Sequence, residues 1–282
     1  MVKIAAVVIL YYPPSTIIKN IMSYINEVEE LYIMDNSPYA HPTITTELSN
    51  YNIFYIHDGE NKGIAERLNS AAKMASDKGF QWLLTMDQDS YFTYEAVKKY
   101  KEYIHDFNNK ESVAAFGASF SNAEITSTIY QEVSLLITSG SIINLNVLNT
   151  IGNFDENLFI DEVDSEYCYR SRINQFKLIE CATIQLQHQL GENTIARSFK
   201  SGKLSTRRLH QPIRIYYIVR NYFYVRKKLP TLSTEEKKQM QHNLWIHLKN
   251  NILYNKKRWL VFQYAFKGYI DYKKNKMGKL NR

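Results

Sequence analysis

Cysteine is nearly absent. The 282-residue chain has two, Cys168 and Cys181, too few for a disulfide framework or a Cys-rich zinc site. Ten glycines and six prolines exclude a collagen-like repeat. No segment has eighteen uninterrupted apolar residues, and the apolar N-terminal stretch MVKIAAVVILYYPPS is too short to span a bilayer and lacks a small-residue cleavage site after it. Also missing are a G-x-x-x-x-G-K-[ST] loop, a G-x-G-x-x-G turn and an H-E-x-x-H helix, which argues against the sites they build. These absences rule out a secreted disulfide miniprotein and a multispan membrane protein, and make a reducing, cytoplasmic setting the expectation. What remains is 45% hydrophobic and 22% charged, an ordinary globular balance. The length allows one large domain, or one domain with an appendage.

Acids are scarce only at one end. Residues 203–282 hold 20 Lys and Arg against 3 Asp and Glu, a net of +17, whereas residues 1–202 carry a net of −10. This division predicts an acidic catalytic domain over 1–202 and a basic C-terminal region over 203–282 that meets something anionic. The tail interleaves aromatic and basic residues, as in RNYFYVRKKL and KKRWLVFQYAFKGYIDYKK. Trp259, Phe262, Phe266 and Tyr269 recur at helical spacing with lysines flanking them. Two readings stand side by side: a helix lying in the interface of an anionic membrane, and a helical layer whose aromatics face a core. Nucleic-acid binding ranks below both, because no recognition module accompanies the charge.

Strands and helices alternate along the first part. KIAAVVILYY reads as a buried strand ended by Pro13-Pro14. LYIMDNS, IFYIHDG and FQWLLTMDQDS read as further strands. GIAERLNSAAKMASDKG places Ile64, Leu68, Ala71, Ala72 and Ala75 on one helical face, with Gly79 as terminator, and TYEAVKKYKEYIHDF returns to helical spacing. The pattern predicts an α/β domain with a mixed, mostly parallel sheet flanked by helices, followed by the basic helical extension. In such sheets ligands bind beyond the carboxyl ends of the strands. Asp35-Asn36, Asp58 and Asp87-Gln88-Asp89 all fall at those ends.

The sharpest chemical feature is Asp87-Gln88-Asp89. Two carboxylates one residue apart at a strand end can share a hard divalent cation that bridges substrate phosphates. A second acidic cluster, Asp161, Glu162, Asp164 and Glu166, precedes Cys168-Tyr169-Arg170. Acids there suit the first turn of a helix, or supply a general base for a hydroxyl, with Arg170 and Arg172 pairing the others. His188, after a strand in TIQLQHQLGE, is either structural or completes a metal or phosphate site. Ser139 and Ser141 in ITSGSII lack the surroundings of a hydrolase nucleophile; a flexible, substrate-facing loop is expected there.

Taken in order, these pieces resemble the family 2 glycosyltransferases with a GT-A fold, over roughly residues 3–192. AVVILYYPP resembles the opening strand and nucleotide loop, IMDNS the second strand, NKGIAERLN the stretch that closes on the nucleotide, MDQDS the D-x-D element and GNFDENLFIDEVDSEYCYR the acceptor-side acidic motif. Within the family, the wording of NKGIAERLN, LLTMDQDS, LITSGS, LFIDEVDSEYCYR and HQPIRIYYIVRN is similar to the bacterial rhamnosyltransferase branch, which carries the likeness to about residue 226. The resemblance implies dTDP-L-rhamnose as donor, a lipid-linked saccharide as acceptor and work at the cytoplasmic membrane face. It implies that Asp35 contacts the base and Tyr11 stacks or shapes the loop. Asn61, Gly63 and Arg67 close on the nucleotide, and Asp87 and Asp89 hold Mg²⁺ or Mn²⁺ and the diphosphate. His188 matches the late histidine near the metal. The family's Glu-Asp pair falls on Val163-Asp164, a departure at the first position, so the implied base is Asp164 first and Asp161 second. The implied reaction inverts the anomeric carbon.

Three alternatives stay open: the same fold with a UDP- or GDP-hexose donor, a sugar nucleotidyltransferase, and a non-catalytic membrane or nucleic-acid binding module. YYPPS, where nucleotidyltransferases carry a Gly-rich loop, counts against the second. The third leaves the paired carboxylates unexplained.

Overall fold

The computed structural model describes residues 2–120, 128–188, 193–197 and 202–280. The chain divides into two compact units, Met1–Glu156 with Val163–Gln189, and Asn157–Glu162 with Leu190–Arg282.

In chain order the first unit contains β1 (Ile4–Leu10), α1 (Ile17–Met22), β2 (Glu30–Asp35), α2 (Pro42–Glu47), β3 (Ile53–His57), α3 (Gly63–Asp77), β4 (Trp82–Asp87), β5 (Ser90–Phe92), α4 (Ala96–Asp106), β6 (Val113–Ser119), β7 (Tyr130–Glu132), β8 (Ser141–Asn144), α5 (Leu145–Ile151), α6 (Val163–Ile173) and β9 (Lys177–His188). The strands form one sheet in the order β3-β2-β1-β4-β8-β6-β9-β5, with β7 also paired to β9. β3, β2, β1 and β4 run parallel; β8 is antiparallel to both β4 and β6.

All seven residues of β1 are buried. A strand covered on both faces needs this continuous apolar run rather than an alternating one. Beside it, α3 buries Ala65, Leu68, Ala71, Ala72 and Ala75. Ala65 takes the inward place expected of Ile64, which is half-buried. Short side chains let the helix approach the sheet closely, and Gly79 at φ +81° ends the segment in a conformation that glycine adopts without strain. The chain winds from β1 to β2 and β3 on one side and returns to β4 on the other. The strand order therefore switches at β1 and β4, and in sheets of this kind ligands bind beyond the carboxyl ends at such a switch.

The expected flexible loop at ITSGSII is instead a buried strand entry. Ser139 and Ser141 are 1% and 2% exposed, and Ser141 opens β8. The two serines misled because a hydroxyl within an apolar run reads as solvent-facing. Here hydrogen bonds satisfy both, Ser141 donating to the nearby carbonyl of Ile137 and Ser139 to Ser90, 49 residues away in sequence.

The second unit holds a hairpin, β10 (Asn193–Arg197) and β11 (Leu204–Arg208), then α7 (Pro212–Lys228), α8 (Thr234–Tyr254) and α9 (Arg258–Lys273). Its division from the first unit falls after Gln189, earlier than the composition break at Gly202. It also takes in Asn157–Glu162, because α7 holds that segment. Buried Asn221 donates to the carbonyls of Leu158, Ile160 and Asp161 at 2.8, 2.7 and 3.0 Å. Buried Arg220 reaches Asn157 and Leu158 at 3.1 and 3.2 Å. These bonds fix a segment in which Phe159, Asp161 and Glu162 all have positive φ, 63°, 61° and 62°, a backbone that side chains disfavour.

α9 turns Val261, Ala265 and Gly268 toward the unit's core and leaves Trp259, Phe262 and Phe266 exposed by 71%, 52% and 60%. Three of the four aromatics thus face outward, against the core-facing reading, whereas Tyr269 packs its ring against Phe223 of α7. Among the described residues no helix is long and apolar enough to cross a membrane.

Candidate functional site

The register of the parallel strands brings the acids to one edge of the sheet. Leu10 lies opposite Asp35, Asp35 opposite His57, and Ile9 opposite Asp87.

Asp35 is fully buried at the end of β2. One oxygen accepts from the Ser37 amide at 2.8 Å; the other accepts from the Tyr55 hydroxyl at 2.6 Å and meets His41 Nδ1 at 2.7 Å. Burial alone would raise its pKa, but the bonds from Ser37, Tyr55 and His41 outweigh burial and hold the carboxyl below its ordinary value. Burial and the bond to Asp35 push the Tyr55 phenol up to about 12. The phenol is therefore a neutral donor throughout the physiological range.

The neighbouring Asn36 links the loop after β2 to the start of α3. Its amide donates to the Gly63 carbonyl at 3.0 Å. Its oxygen accepts from the Lys62 amide at 3.1 Å and from Arg67 Nε at 2.8 Å. Arg67, 2% exposed, also grips Asp58 at 2.7 Å and the Glu60 carbonyl at 3.1 Å. Burial opposes ionisation of Asp58, but Arg67 and Lys62 hold its carboxyl far below the usual range. Asn61 accepts from the Gly63 amide at 2.9 Å, and Gly63 has φ +86°, so a glycine fits the sharp entry into α3. Arg67 and Asn61 thus shape the loop between β3 and α3 through bonds to the protein itself.

The acidic turn after β4 is fixed by its middle residue. Gln88 accepts from the Tyr11 amide at 2.8 Å and donates to the Tyr11 carbonyl at 3.1 Å. Buried Asn20 donates to the Gln88 carbonyl at 2.9 Å. This ties the Asp87-Gln88-Asp89 turn to the end of β1, where Tyr11 is 47% exposed and Tyr12 61%. The Asp87 amide donates to the Ser139 hydroxyl at 3.1 Å, and that hydroxyl donates to Ser90 at 2.9 Å. The buried serine therefore positions the carboxylate turn from behind. Asp87 and Asp89 are half-buried.

Asp164 stands in the first turn of α6, where a carboxylate gains from the helix's positive end. It accepts from the Ser165 amide at 2.8 Å and borders a small void with Ile137, Thr138 and Ser141. One short segment, Ile137–Ser141, thus carries Ser139 to the D-x-D turn and shares the lining of this void with Asp164. Glu166, one residue beyond Ser165, is fully buried and paired through both oxygens with Arg170, each contact 2.9 Å. Arg170 also bonds the carbonyls of Ile151, Gly152 and Asn153. Its partner is therefore Glu166, and the pair fastens α6 to the end of α5.

Asp161 belongs to the other unit, where Arg214 holds it at 2.9 Å. His188 ends β9 with its backbone opposite Ser90; its side chain lies outside the described residues. Among the described residues no group of three His, Cys, Asp or Glu clusters to hold a metal. Two hard carboxylates at a strand end still suit Mg²⁺ or Mn²⁺, which take one or two protein oxygens and complete their shell with water and substrate phosphates.

Sequence reasoning missed Gln88, Ser139, Tyr55 and His41. Gln88, Ser139 and Tyr55 act through contacts 77, 52 and 20 residues away, which no local pattern encodes; His41 meets Asp35 six residues away, but no motif marks that pair.

A family model for glycosyl transferase family 2 matches residues 6–181. The chain is 28% identical over 249 residues to the dTDP-rhamnosyl transferase RfbF of Shigella flexneri, covering 80% of each protein. In fold it is similar to S. aureus TarS 1-349 in complex with UDP-GlcNAc, with a TM-score of 0.61 at 16% identity over 96% of this chain and 80% of that one. It is also similar to GalNAc-T7 with UDP, GalNAc and Mn²⁺, with a TM-score of 0.57 at 13% identity over 87% of this chain and 56% of that one.

Proposed function

The chain belongs to glycosyl transferase family 2, and from that premise we propose that it moves L-rhamnose from dTDP-L-rhamnose to a hydroxyl of a lipid-linked saccharide, with inversion, at the cytoplasmic face of a membrane. The observation that carries the reading is the Ile137–Ser141 segment: its Ser139 hydroxyl accepts from the Asp87 amide of the D-x-D turn, and its Ile137, Thr138 and Ser141 line the same small void as Asp164. A base and a diphosphate site so linked suit a single displacement at the anomeric carbon. The rhamnosyl choice is supported by the relative of that name.

In this mechanism the nucleotide lies against Tyr11, with Asp35, Asn61, Gly63 and Arg67 forming the walls that fix its loops. Asp87 and Asp89 would hold Mg²⁺ or Mn²⁺, which would neutralise charge on the departing diphosphate. Asp164 takes the acceptor hydroxyl proton as the new carbon–oxygen bond forms and the bond to the diphosphate breaks. Asp161, held by Arg214, is the alternative base. Residues 203–282 are assigned to the acceptor and membrane side. Their outward aromatics and net +17 charge support that assignment.

The test is binding and slow hydrolysis of a panel of nucleotide sugars, with Mn²⁺ and with chelator. Metal-dependent selection of dTDP-L-rhamnose is expected. Selection of a UDP- or GDP-hexose would keep the enzyme class and overturn the donor. Asp89→Ala should weaken metal-supported donor binding by about tenfold or more. Asp164→Asn should leave donor binding intact and lower transfer by about 10²- to 10⁴-fold. Full activity in Asp164→Asn with loss in Asp161→Asn would exchange the two roles.

A further inference from the structure

The second unit contains a cleft of about 560 Å³ formed by α7 and α8. Two cations line it, together with the polar side chains of His242 and Gln241. Arg226 comes from the last turn of α7, and Lys238 and His242 stand one turn apart on α8. No Asp or Glu is among its lining residues. Arg226 is held in place, its Nη1 donating to the Tyr222 hydroxyl at 2.6 Å with the guanidinium 5.5 Å from that ring's centre. A guanidinium fixed in this way presents its remaining N–H groups at little entropic cost.

Apart from Gln241 and the Tyr222 hydroxyl, the rest of the lining is apolar. Phe223, Leu244 and Leu248 lie in the cleft and pack onto the unit's core residues Ile215, Val219 and Val261. Trp245 also lines it, with its indole 64% exposed. Lys238, His242 and Trp245 follow one another at i, i+4 and i+7, so they share one face of α8. A free phosphate site needs donors and has no use for an apolar floor. A purely apolar groove would not gather Arg and Lys without a counter-charge. The two together fit a ligand that has both parts.

We propose that this cleft binds the phosphate-bearing end of an amphiphile. Arg226, Lys238 and His242 engage phosphate oxygens, Phe223, Leu244 and Leu248 take the adjoining hydrocarbon, and Trp245 covers the junction. In identifying this ligand with the lipid phosphate of the acceptor, the inference rests on the proposed function; as a binding site it stands apart from the donor chemistry.

The experiment measures binding of farnesyl diphosphate, inorganic pyrophosphate and farnesol to the full chain by calorimetry, with no nucleotide sugar present. Farnesyl diphosphate is expected to bind more tightly than either half. Lys238→Gln should weaken it by about tenfold, the ordinary effect of losing one charged hydrogen bond, and Lys238→Arg should restore it. Trp245→Ala should weaken farnesyl diphosphate without changing pyrophosphate. Lys73→Gln, a charge-matched change in the other unit, should leave all three unchanged. Lys238 and Trp245 are exposed, so these variants keep the fold, as thermal unfolding will verify. Absence of farnesyl diphosphate binding, or binding indifferent to Lys238→Gln, overturns the site. Pyrophosphate binding as tightly as farnesyl diphosphate overturns the amphiphile. Cleft binding without selection of any nucleotide sugar would sink the proposed function and leave the cleft standing.

Discussion

Asp35 keeps a charge in full burial because three donors converge on it, and one of them does two jobs. The Tyr55 hydroxyl donates to Asp35 and accepts from the His41 amide at 2.8 Å. Tyr55→Phe would leave that amide without its acceptor and the carboxylate with one donor fewer. A cost of about 1–3 kcal/mol at pH 7 is expected. The sign with pH follows from the depressed carboxyl. Its contribution is complete above the unfolded value of about 4 and is lost as pH falls through the lower folded value. The gap between wild type and Tyr55→Phe in urea unfolding should therefore narrow from pH 7 toward pH 3; a gap constant with pH would show that Asp35 is not the group involved. The strand-end acids Asp35, Asp87 and Asp89 were legible in the sequence, because a carboxylate directly after an apolar run marks the carboxyl end of a parallel strand. The engagement of Arg67 was not. Its partner Asn36 is 31 residues away, and a basic residue on α3 gives no sign that it will be enclosed. The division of labour between Asp164 and Glu166 was half legible. The spacing of Glu166 and Arg170 suits a helical pair, but only packing against the carbonyls of residues 151–153 makes that pair structural, and Asp164 as base stays part of the proposal.

At the scale of elements, long periodic segments were read well and short ones were not. β1, β2, β4 and α3 declare themselves through composition. β8 does not, since two serines interrupt its apolar run and their satisfaction depends on Ile137 and Ser90. The packing of α9 on α7 was equally hidden, and it turns on one glycine. A Cβ at Gly268 would come within 2.5 Å of the Tyr216 carbonyl oxygen. Alanine is favoured over glycine in a helix by about 1 kcal/mol, but a contact this short against rigid backbone forces the helices apart, at about 1–3 kcal/mol or more. Steric cost should win. Gly268→Ala is expected to lower the urea midpoint, whereas the same exchange at exposed Gly79, with nothing within 4 Å, should report only the strain of its positive φ. An unchanged or raised midpoint for Gly268→Ala would mean that α7 and α9 have slack in their packing.

At the scale of the molecule, the uneven charge and the outward aromatics of α9 make one argument. Lys256, Lys257 and Arg258 precede Trp259, and Lys267, Lys273 and Lys274 follow along the same helix and its end. Each cation near an anionic surface contributes about 1 kcal/mol, within a Debye length of about 8 Å at physiological salt. Trp259, Phe262 and Phe266 would add burial at the headgroup boundary, which salt does not screen. The two contributions can be separated. Vesicles containing anionic lipid should sediment the protein, and neutral vesicles should do so weakly. Raising the salt should release it from the anionic vesicles down to the neutral level. Replacing Trp259, Phe262 and Phe266 with serine should lower binding to both kinds of vesicle while leaving the salt dependence in place. Replacing Lys256 and Lys257 with glutamine should flatten that dependence. Equal partitioning onto neutral and anionic vesicles would refute the electrostatic half of the proposal. Loss of the salt dependence in the serine variant would mean that the aromatics order the cations rather than insert. On the proposed reading, with a lipid-linked acceptor, residence at the surface would turn a search through solution into a search within a plane. The serine variant should therefore lose activity on acceptor in vesicles and keep it on a detergent-dispersed one.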